Sequence, residues 1–244
     1  MIMSTKIIRQ EYKYFVSNDE IIFLRSVLPK LMDSDPNIGK TRANYTVTSL
    51  YFDSHLKDAL DDKQSGIGYR EKFRIRTYDS SNSVIKFELK QRADVAINKI
   101  TETITKEQTK SILQGSYDCL KEKDSKFLNE TYIKFKTRGF KPSVIVEYDR
   151  EAYMLPYGNI RITFDTNLRT YNNHKNILEL HSAKTPIFLE GSQILEVKFS
   201  MPLPDHITSV LSKITATRCA ISKFVFAQKY IDASPWRDKI AIPY

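Results

Sequence analysis

The segment Gly68–Tyr78, GYREKFRIRTY, alternates with a period of two: Arg70, Lys72, Arg74 and Arg76 hold the even positions, and Glu71, Phe73, Ile75 and Thr77 the odd ones. A strand sends successive side chains to opposite faces, so this segment as a strand has one cationic and one largely apolar face. The pattern recurs along the chain. In IKFELKQR, Lys86, Glu88, Lys90 and Arg92 oppose Phe87 and Leu89. In RQEYKYF, Arg9, Glu11 and Lys13 share a face; in RITFD, Arg161, Thr163 and Asp165 do. Glu196 and Lys198 oppose Leu195, Val197 and Phe199 in ILEVKF. In VEYDREAY, Tyr148 and Arg150 share a face, while Glu147 and Asp149 interrupt the pattern on the other.

One charged strand face is ordinarily the wet side of a sheet. Here guanidinium-rich positions recur in several strands, and the strands alternate with amphipathic helical segments that need an apolar surface to cover. SNDEIIFLRSVLPKLM reads as a helix, with Ser17 and Glu20 spaced as a capping box and Ile21, Leu24, Val27, Leu28 and Leu31 on one face. Further short helices are expected near His55–Gly66, Lys106–Gly115, Ser125–Lys136 and Ile207–Thr215, while SKFVFAQKYI is ambiguous between helix and strand. Helices packed on the apolar face turn the charged face inward, and closing such a sheet makes a barrel with a polar, basic interior. The expected fold class is α+β, an antiparallel sheet wrapped by helices, in one domain over residues 1–244.

A dense set of Arg and Lys on an inward face repels itself. Two unit charges 4 Å apart interact by about 4 kcal/mol at an effective dielectric near 20. Glu11, Glu88, Asp165 and Glu196 are too few to neutralise that set, so the expected occupant is a multiply charged phosphate. The formal charge of +9 and pI near 9.3 agree with an anionic partner without naming it. No GxxxxGK[ST] or GxGxxG motif occurs, so phosphates fall to side chains rather than a glycine-rich backbone cradle. Carboxylates among the cations suit a hard divalent ion, since Mg²⁺ takes one or two carboxylates plus phosphate oxygens and water.

Several classes are set aside. No run approaches the roughly 18 apolar residues of a membrane span, and the N-terminal residues have no signal-peptide core. Cys119 and Cys219 form no close pair, which disfavours a zinc site or disulfide framework and favours a reducing, cytoplasmic setting. His55, His174, His181 and His206 show no metal-ligand spacing.

In order, EYKYF, SLYFDS, YREKFRIRTY, KFELKQR, EYDREAY, RITFDTNLR, LEVKF and SKF resemble the VTC (vacuolar transporter chaperone) domain, over about residues 6–230. That domain is the catalytic module of ATP-dependent polyphosphate polymerases, among the triphosphate tunnel metalloenzymes related to CYTH proteins. The resemblance implies an eight-stranded antiparallel tunnel that holds triphosphate and Mn²⁺ or Mg²⁺. It implies phosphate binding by Lys13, Arg74, Arg76, Lys90, Tyr148, Arg150, Arg161, Lys198 and Lys223, with Arg74, Arg76, Lys90 and Arg150 catalytic. Glu196 would bind the metal, with Glu11 and Glu88 as further candidates. The sequence carries neither the membrane segments nor the phosphate-sensing domain of the eukaryotic complexes, and so resembles the stand-alone form. The expected activity is transfer of the terminal phosphate of ATP to a growing polyphosphate chain. The alternatives are a metal-dependent tripolyphosphatase or nucleoside triphosphatase, and a non-catalytic polyphosphate or nucleic-acid binder. Nucleic acid is not the expected partner, because the aromatics fall on or beside apolar faces rather than forming stacking platforms.

Overall fold

The computed structural model describes residues 10–36, 43–93, 96–171, 175–180, 183–188 and 192–233. Arg9, His174 and His181 lie outside them. The described residues form ten strands and six α-helices, an α+β fold. The strands make one sheet in the order β1 (Gln10–Val16), β10 (Gln193–Phe199), β8 (Ile160–Tyr171), β7 (Lys141–Leu155), β3 (Tyr45–Asp53), β4 (Tyr69–Tyr78), β5 (Ser81–Ala93) and β6 (Ala96–Ile104), with β2 (Asp33–Ser34) paired to β7 and β9 (Lys184–Pro186) to β8. The eight-strand path matches the expected strand number. Among the described residues the ladder is an open path ending on β1 and β6 rather than the expected closed ring.

The chain divides into two compact units, Met1–Thr46 with Tyr148–Leu168 and Phe188–Ile221, and Val47–Glu147 with Arg169–Ile187 and Ser222–Tyr244. In the first, β1 (Gln10–Val16) pairs antiparallel with β10 (Gln193–Phe199), and β10 with β8 (Ile160–Tyr171). Helix α1 (Asn18–Val27) begins with the expected capping box: Ser17 Oγ accepts from Glu20 N at 3.2 Å, and Glu20 Oε2 accepts from Ser17 N at 2.9 Å. Two of the four orphan amides at the helix start are thereby satisfied. A 3₁₀ turn, Leu28–Lys30, ends the helix where Pro29 lacks the donor to continue it. Short β2 (Asp33–Ser34) follows. Ile21, Leu24 and Leu28 then pack with Ile162, Phe164, Leu195, Val197, Phe199 and Ile207, the last from α5 (Asp205–Leu211). The odd residues of ILEVKF thus point into a core, as the alternation requires.

The second unit is built on β3 (Tyr45–Asp53), β4 (Tyr69–Tyr78), β5 (Ser81–Ala93) and β6 (Ala96–Ile104). Asp79 and Ser80 both adopt φ +52° between the paired Tyr78 and Ser81, the two-residue turn whose twist suits a hairpin. Phe73, Ile75, Phe87 and Leu89 enter one core with residues of α3 (Lys106–Leu113) and α4 (Lys126–Arg138). Phe135 is its hub, with ring contacts to Phe52, Phe73, Phe87, Tyr117 and Phe140. Gly139 caps α4 in the left-handed region, where a Cβ is disfavoured. Helix α2 (Asp58–Gln64) starts without a cap of its own, and Asp53 supplies one by accepting from Ala59 N and Leu60 N. The ambiguous SKFVFAQKYI segment is helix α6 (Lys223–Ala233), burying Phe224, Ala227 and Gln228 at helical spacing. The remaining strands are β7 (Lys141–Leu155) and β9 (Lys184–Pro186). Strands β2 and β9 are two and three residues long, too short for a periodicity to reveal.

Candidate phosphate-binding faces

In the second unit the face opposite the core is cationic, and the register shows how. Lys72 of β4 lies opposite Lys90 of β5, and Lys90 opposite Lys99 of β6. Directly opposed residues share a face, and like charges in that relation destabilise a sheet unless something answers them. Lys72 Nζ donates to Ser222 Oγ at 3.2 Å and lies 5.0 Å from the Phe224 ring centroid. The next row runs Tyr51, Arg74, Glu88, and the one beyond it Ser49, Arg76, Lys86.

Glu88, 1% exposed, is the carboxylate these cations share. Arg74 Nε lies 2.6 Å from Oε2, Arg76 Nη1 3.7 Å from the same oxygen, and Lys99 Nζ 2.5 Å from Oε1. Burial alone pushes the carboxyl pKa up, but Arg74, Arg76 and Lys99 outweigh it and bring it down to about 2. Glu88 therefore acts as an anchoring counter-ion with both oxygens engaged by cations. Arg74 also donates to Tyr51 OH at 3.3 Å, and Arg76 to Ser49 Oγ at 3.4 Å. Burial raises the Tyr51 pKa, but Arg74, Arg76 and Lys223 together bring it below the usual phenol value. Lys223 is the first residue of α6.

The first unit carries its own constellation. One row across β1, β10 and β8 is Lys13, Glu196, Thr163; the neighbouring row is Glu11, Lys198, Arg161. Lys13 Nζ lies 2.9 Å from Glu11 Oε1, and Lys198 Nζ 2.8 Å from Glu196 Oε1. Arg150 of β7 meets Asp165 with two parallel bonds of 2.7 Å and lies 3.8 Å from Glu196 Oε2. Its guanidinium is also 5.1 Å from the Tyr148 ring centroid, a cation–π contact. Arg161 Nη2 donates to Asp35 Oδ2 and to Tyr45 OH. Burial pulls the Lys198 pKa down to about 8 against the pull of Glu196 and Glu11, with Arg150 adding to the fall.

The charge deficit expected from the sequence is corrected within this unit: Glu11, Glu196, Asp165 and Asp35 face Lys13, Lys198, Arg150 and Arg161. Asp35 escaped the sequence reading because it lies in a turn-rich loop with no periodic neighbour. In the second unit three lysines, Lys72, Lys90 and Lys99, stand in register, the last paired with Glu88. Lys99 escaped because AINKITETI looks merely exposed and polar; numbering back across the hairpin from Ala93 opposite Ala96 is what sets Lys99 against Lys90. Glu147, which broke the alternation of its strand, sits among Thr48, Arg169, Tyr171 and Lys184 at 2.6–3.0 Å, a satisfied buried carboxylate. Lys13, Tyr148, Arg150, Arg161, Lys198, Glu11 and Glu196 are thus gathered in the first unit, and Arg74, Arg76, Glu88, Lys90 and Lys223 in the second.

The family model for the VTC domain matches residues 8–231. The chain belongs to the VTC domain family. Among solved structures, this VTC domain is similar to HpAC1 from Hippeastrum, described as an adenylyl cyclase candidate with a dominant triphosphatase activity. The two are 15% identical with a TM-score of 0.55, over 90% of this chain and 94% of that one. An adenylate cyclase candidate from Bacillus halodurans is 16% identical with a TM-score of 0.47, over 84% and 88% of the two chains. The likeness to HpAC1 shows a shared fold. No curated protein matches the chain. No helix among the described residues is long and apolar enough to cross a membrane.

Proposed function

We propose that this VTC domain is an ATP-dependent polyphosphate polymerase of the cytoplasm, transferring the terminal phosphate of ATP to a polyphosphate chain. The observation that carries the reading is the row Lys72, Lys90, Lys99 beside Arg74 and Arg76, on a face opposite a well-packed core. A sheet places like charges in register at a cost, and a polyanion offsets it. Arg74 and Arg76 orient terminal phosphate oxygens through their planar forks, and Lys90 adds point charge. Lys13, Arg150, Arg161 and Lys198, with Tyr148, serve the same chemistry in the other unit. Phosphoryl transfer asks a protein mainly for positioning and charge stabilisation. An oxygen of the acceptor's last phosphate attacks, the bond to the β–γ bridging oxygen breaks, and ADP leaves. No Ser, Cys or His nucleophile is required.

Mn²⁺ or Mg²⁺ fits the donor set of Glu11 and Glu196, two hard carboxylates on adjacent strands. Among the described residues no group of three or more His, Cys, Asp or Glu could hold a metal. Glu11 and Glu196 would hold such a cation with its remaining ligands drawn from phosphate oxygens and water. When bound it supplies positive charge to bridging and leaving oxygens. Glu88, engaged by three cations, serves instead to hold Arg74.

A second reading, hydrolysis of tripolyphosphate or a nucleoside triphosphate, draws on the likeness to HpAC1. Purified protein incubated with ATP and Mn²⁺ separates the two on a polyacrylamide gel. Long-chain polyphosphate is expected; orthophosphate without polymer would replace the polymerase by the hydrolase.

A further inference from the structure

Among the described residues of the first unit, two buried polar atoms have no hydrogen-bond partner, Arg161 Nε and Thr163 Oγ1, and both belong to β8. They are two residues apart on one strand, so they lie on the same face. The register puts that face in view: Thr163 is opposite Glu196, and Arg161 opposite Lys198. Thr163 is 1% exposed. A buried hydroxyl without a partner forfeits its hydration for nothing in return, and orphaned buried donors are rare in folded proteins. Guanidinium Nε can only donate, so whatever satisfies it is an acceptor. A hydroxyl beside it satisfies the same acceptor by donating as well. Arg150, also near Glu196, adds positive charge on the same side.

We infer that Thr163 is a substrate-contact residue, whose hydroxyl joins Arg161 Nε in donating to the oxygens of a bound phosphate chain. Arg161 Nη2 is engaged by Asp35 and Tyr45, while its Nε has no hydrogen-bond partner. The inference rests on the phosphate-handling reading above and adds to it a neutral donor that no charge pattern reveals. A hydroxyl gives direction without adding to the repulsion of a cationic face. It recognises the tetrahedral oxygens common to tripolyphosphate and the triphosphate of ATP.

The test is calorimetric titration of the whole chain with tripolyphosphate, without metal, for wild type, Thr163→Val, Thr163→Ser and Arg161→Lys. Thr163→Val should weaken binding about tenfold, the scale of one hydrogen bond to a charged group. Thr163→Ser should stay within about twofold of wild type, and Arg161→Lys, which keeps charge but has no Nε, should weaken with Val. The ligand-free Val variant should melt no lower than wild type, because the hydroxyl it loses has no partner to lose. Unchanged affinity in Thr163→Val overturns the assignment. So does a melting temperature several degrees lower in Val but not in Ser, which would mark a structural hydrogen bond, and so does a wild-type chain that does not bind tripolyphosphate. A chain that binds it through Thr163 but never makes polymer removes the polymerase reading and leaves Thr163 in place.

Discussion

Arg150 and Asp165 are joined by two bonds of 2.7 Å, Nε to Oδ1 and Nη2 to Oδ2, with Asp165 only 1% exposed. The pair lies beside Glu196, so an arginine expected to bind phosphate is first a member of a buried ion pair. Such pairs contribute little net stability over an apolar replacement, but breaking one strands a charge.

Arg150→Ala is therefore expected to cost about 3–5 kcal/mol, mostly from the stranded Asp165 carboxylate. Combining it with Asp165→Asn should recover part of that loss, giving a favourable coupling in a double-mutant cycle. Urea denaturation of the four proteins measures it. Additive losses would show that the two side chains do not depend on each other.

Glu88 sets an acid limit. Its carboxyl is held near 2 in the fold against about 4.5 for a free glutamate. A lowered folded pKa stabilises above the unfolded value and loses that contribution as pH falls toward the folded one. Glu88 should contribute on the order of 3 kcal/mol at neutral pH, lost between about pH 4.5 and 2. Thermal melts from pH 7 to 2 should show Glu88→Gln less stable at pH 7 and the gap to wild type closing across that window. A gap constant with pH would mean that the anchoring charge lies elsewhere.

Arg74 and Arg76 differ in what they leave behind. Arg76→Ala removes a 3.7 Å contact and leaves Glu88 with Arg74 and Lys99, so the fold should persist with a loss of about 1 kcal/mol or less. Arg74→Ala removes the 2.6 Å partner and should cost more. Both should lower turnover by about 100-fold or more, as loss of a transition-state charge donor does. Because Glu88 answers both arginines, neither change should raise the melting temperature. Circular dichroism melts beside the polymer assay separate folding from turnover. Wild-type turnover in Arg76→Ala would remove it from the site.

The period-two alternation made the sheet and its two faces legible, since any strand that buries Phe73 and Ile75 must aim Arg74 and Arg76 the other way. The capping box at Ser17 and Glu20 located α1 for a similarly local reason. What stayed hidden was long-range. Asp35 finds Arg161 across 126 positions of chain, and Lys99 takes its role from register rather than composition. Thr163 was legible as a face residue of RITFD, but its missing partner is a property of the packed state. The ambiguity of SKFVFAQKYI was settled by tertiary packing, because Phe224, Ala227 and Gln228 bury only as a helix. The sequence also overstated the charge imbalance of the first unit, because the counter-ion Asp35 lies off every periodic strand.

Glu196 is the carboxylate on which the metal reading depends. It is 4% exposed, with Oε1 at 2.8 Å from Lys198 and Oε2 at 3.8 Å from Arg150. Glu196→Gln removes the charge a divalent cation needs while keeping size and one acceptor oxygen. The Mn²⁺ concentration for half-maximal turnover should rise about tenfold or more, the low end of what even an outer-shell change costs. Metal-free tripolyphosphate binding should hold or tighten, because a carboxylate competing for Lys198 and Arg150 is gone. Glu11→Gln should move the metal titration in the same direction, and Glu88→Gln, in the second unit, should leave it where it is. Manganese titrations followed by turnover and by electron paramagnetic resonance of free Mn²⁺ check both halves. A shift in Glu88→Gln with none in Glu196→Gln would move the cation to the second unit.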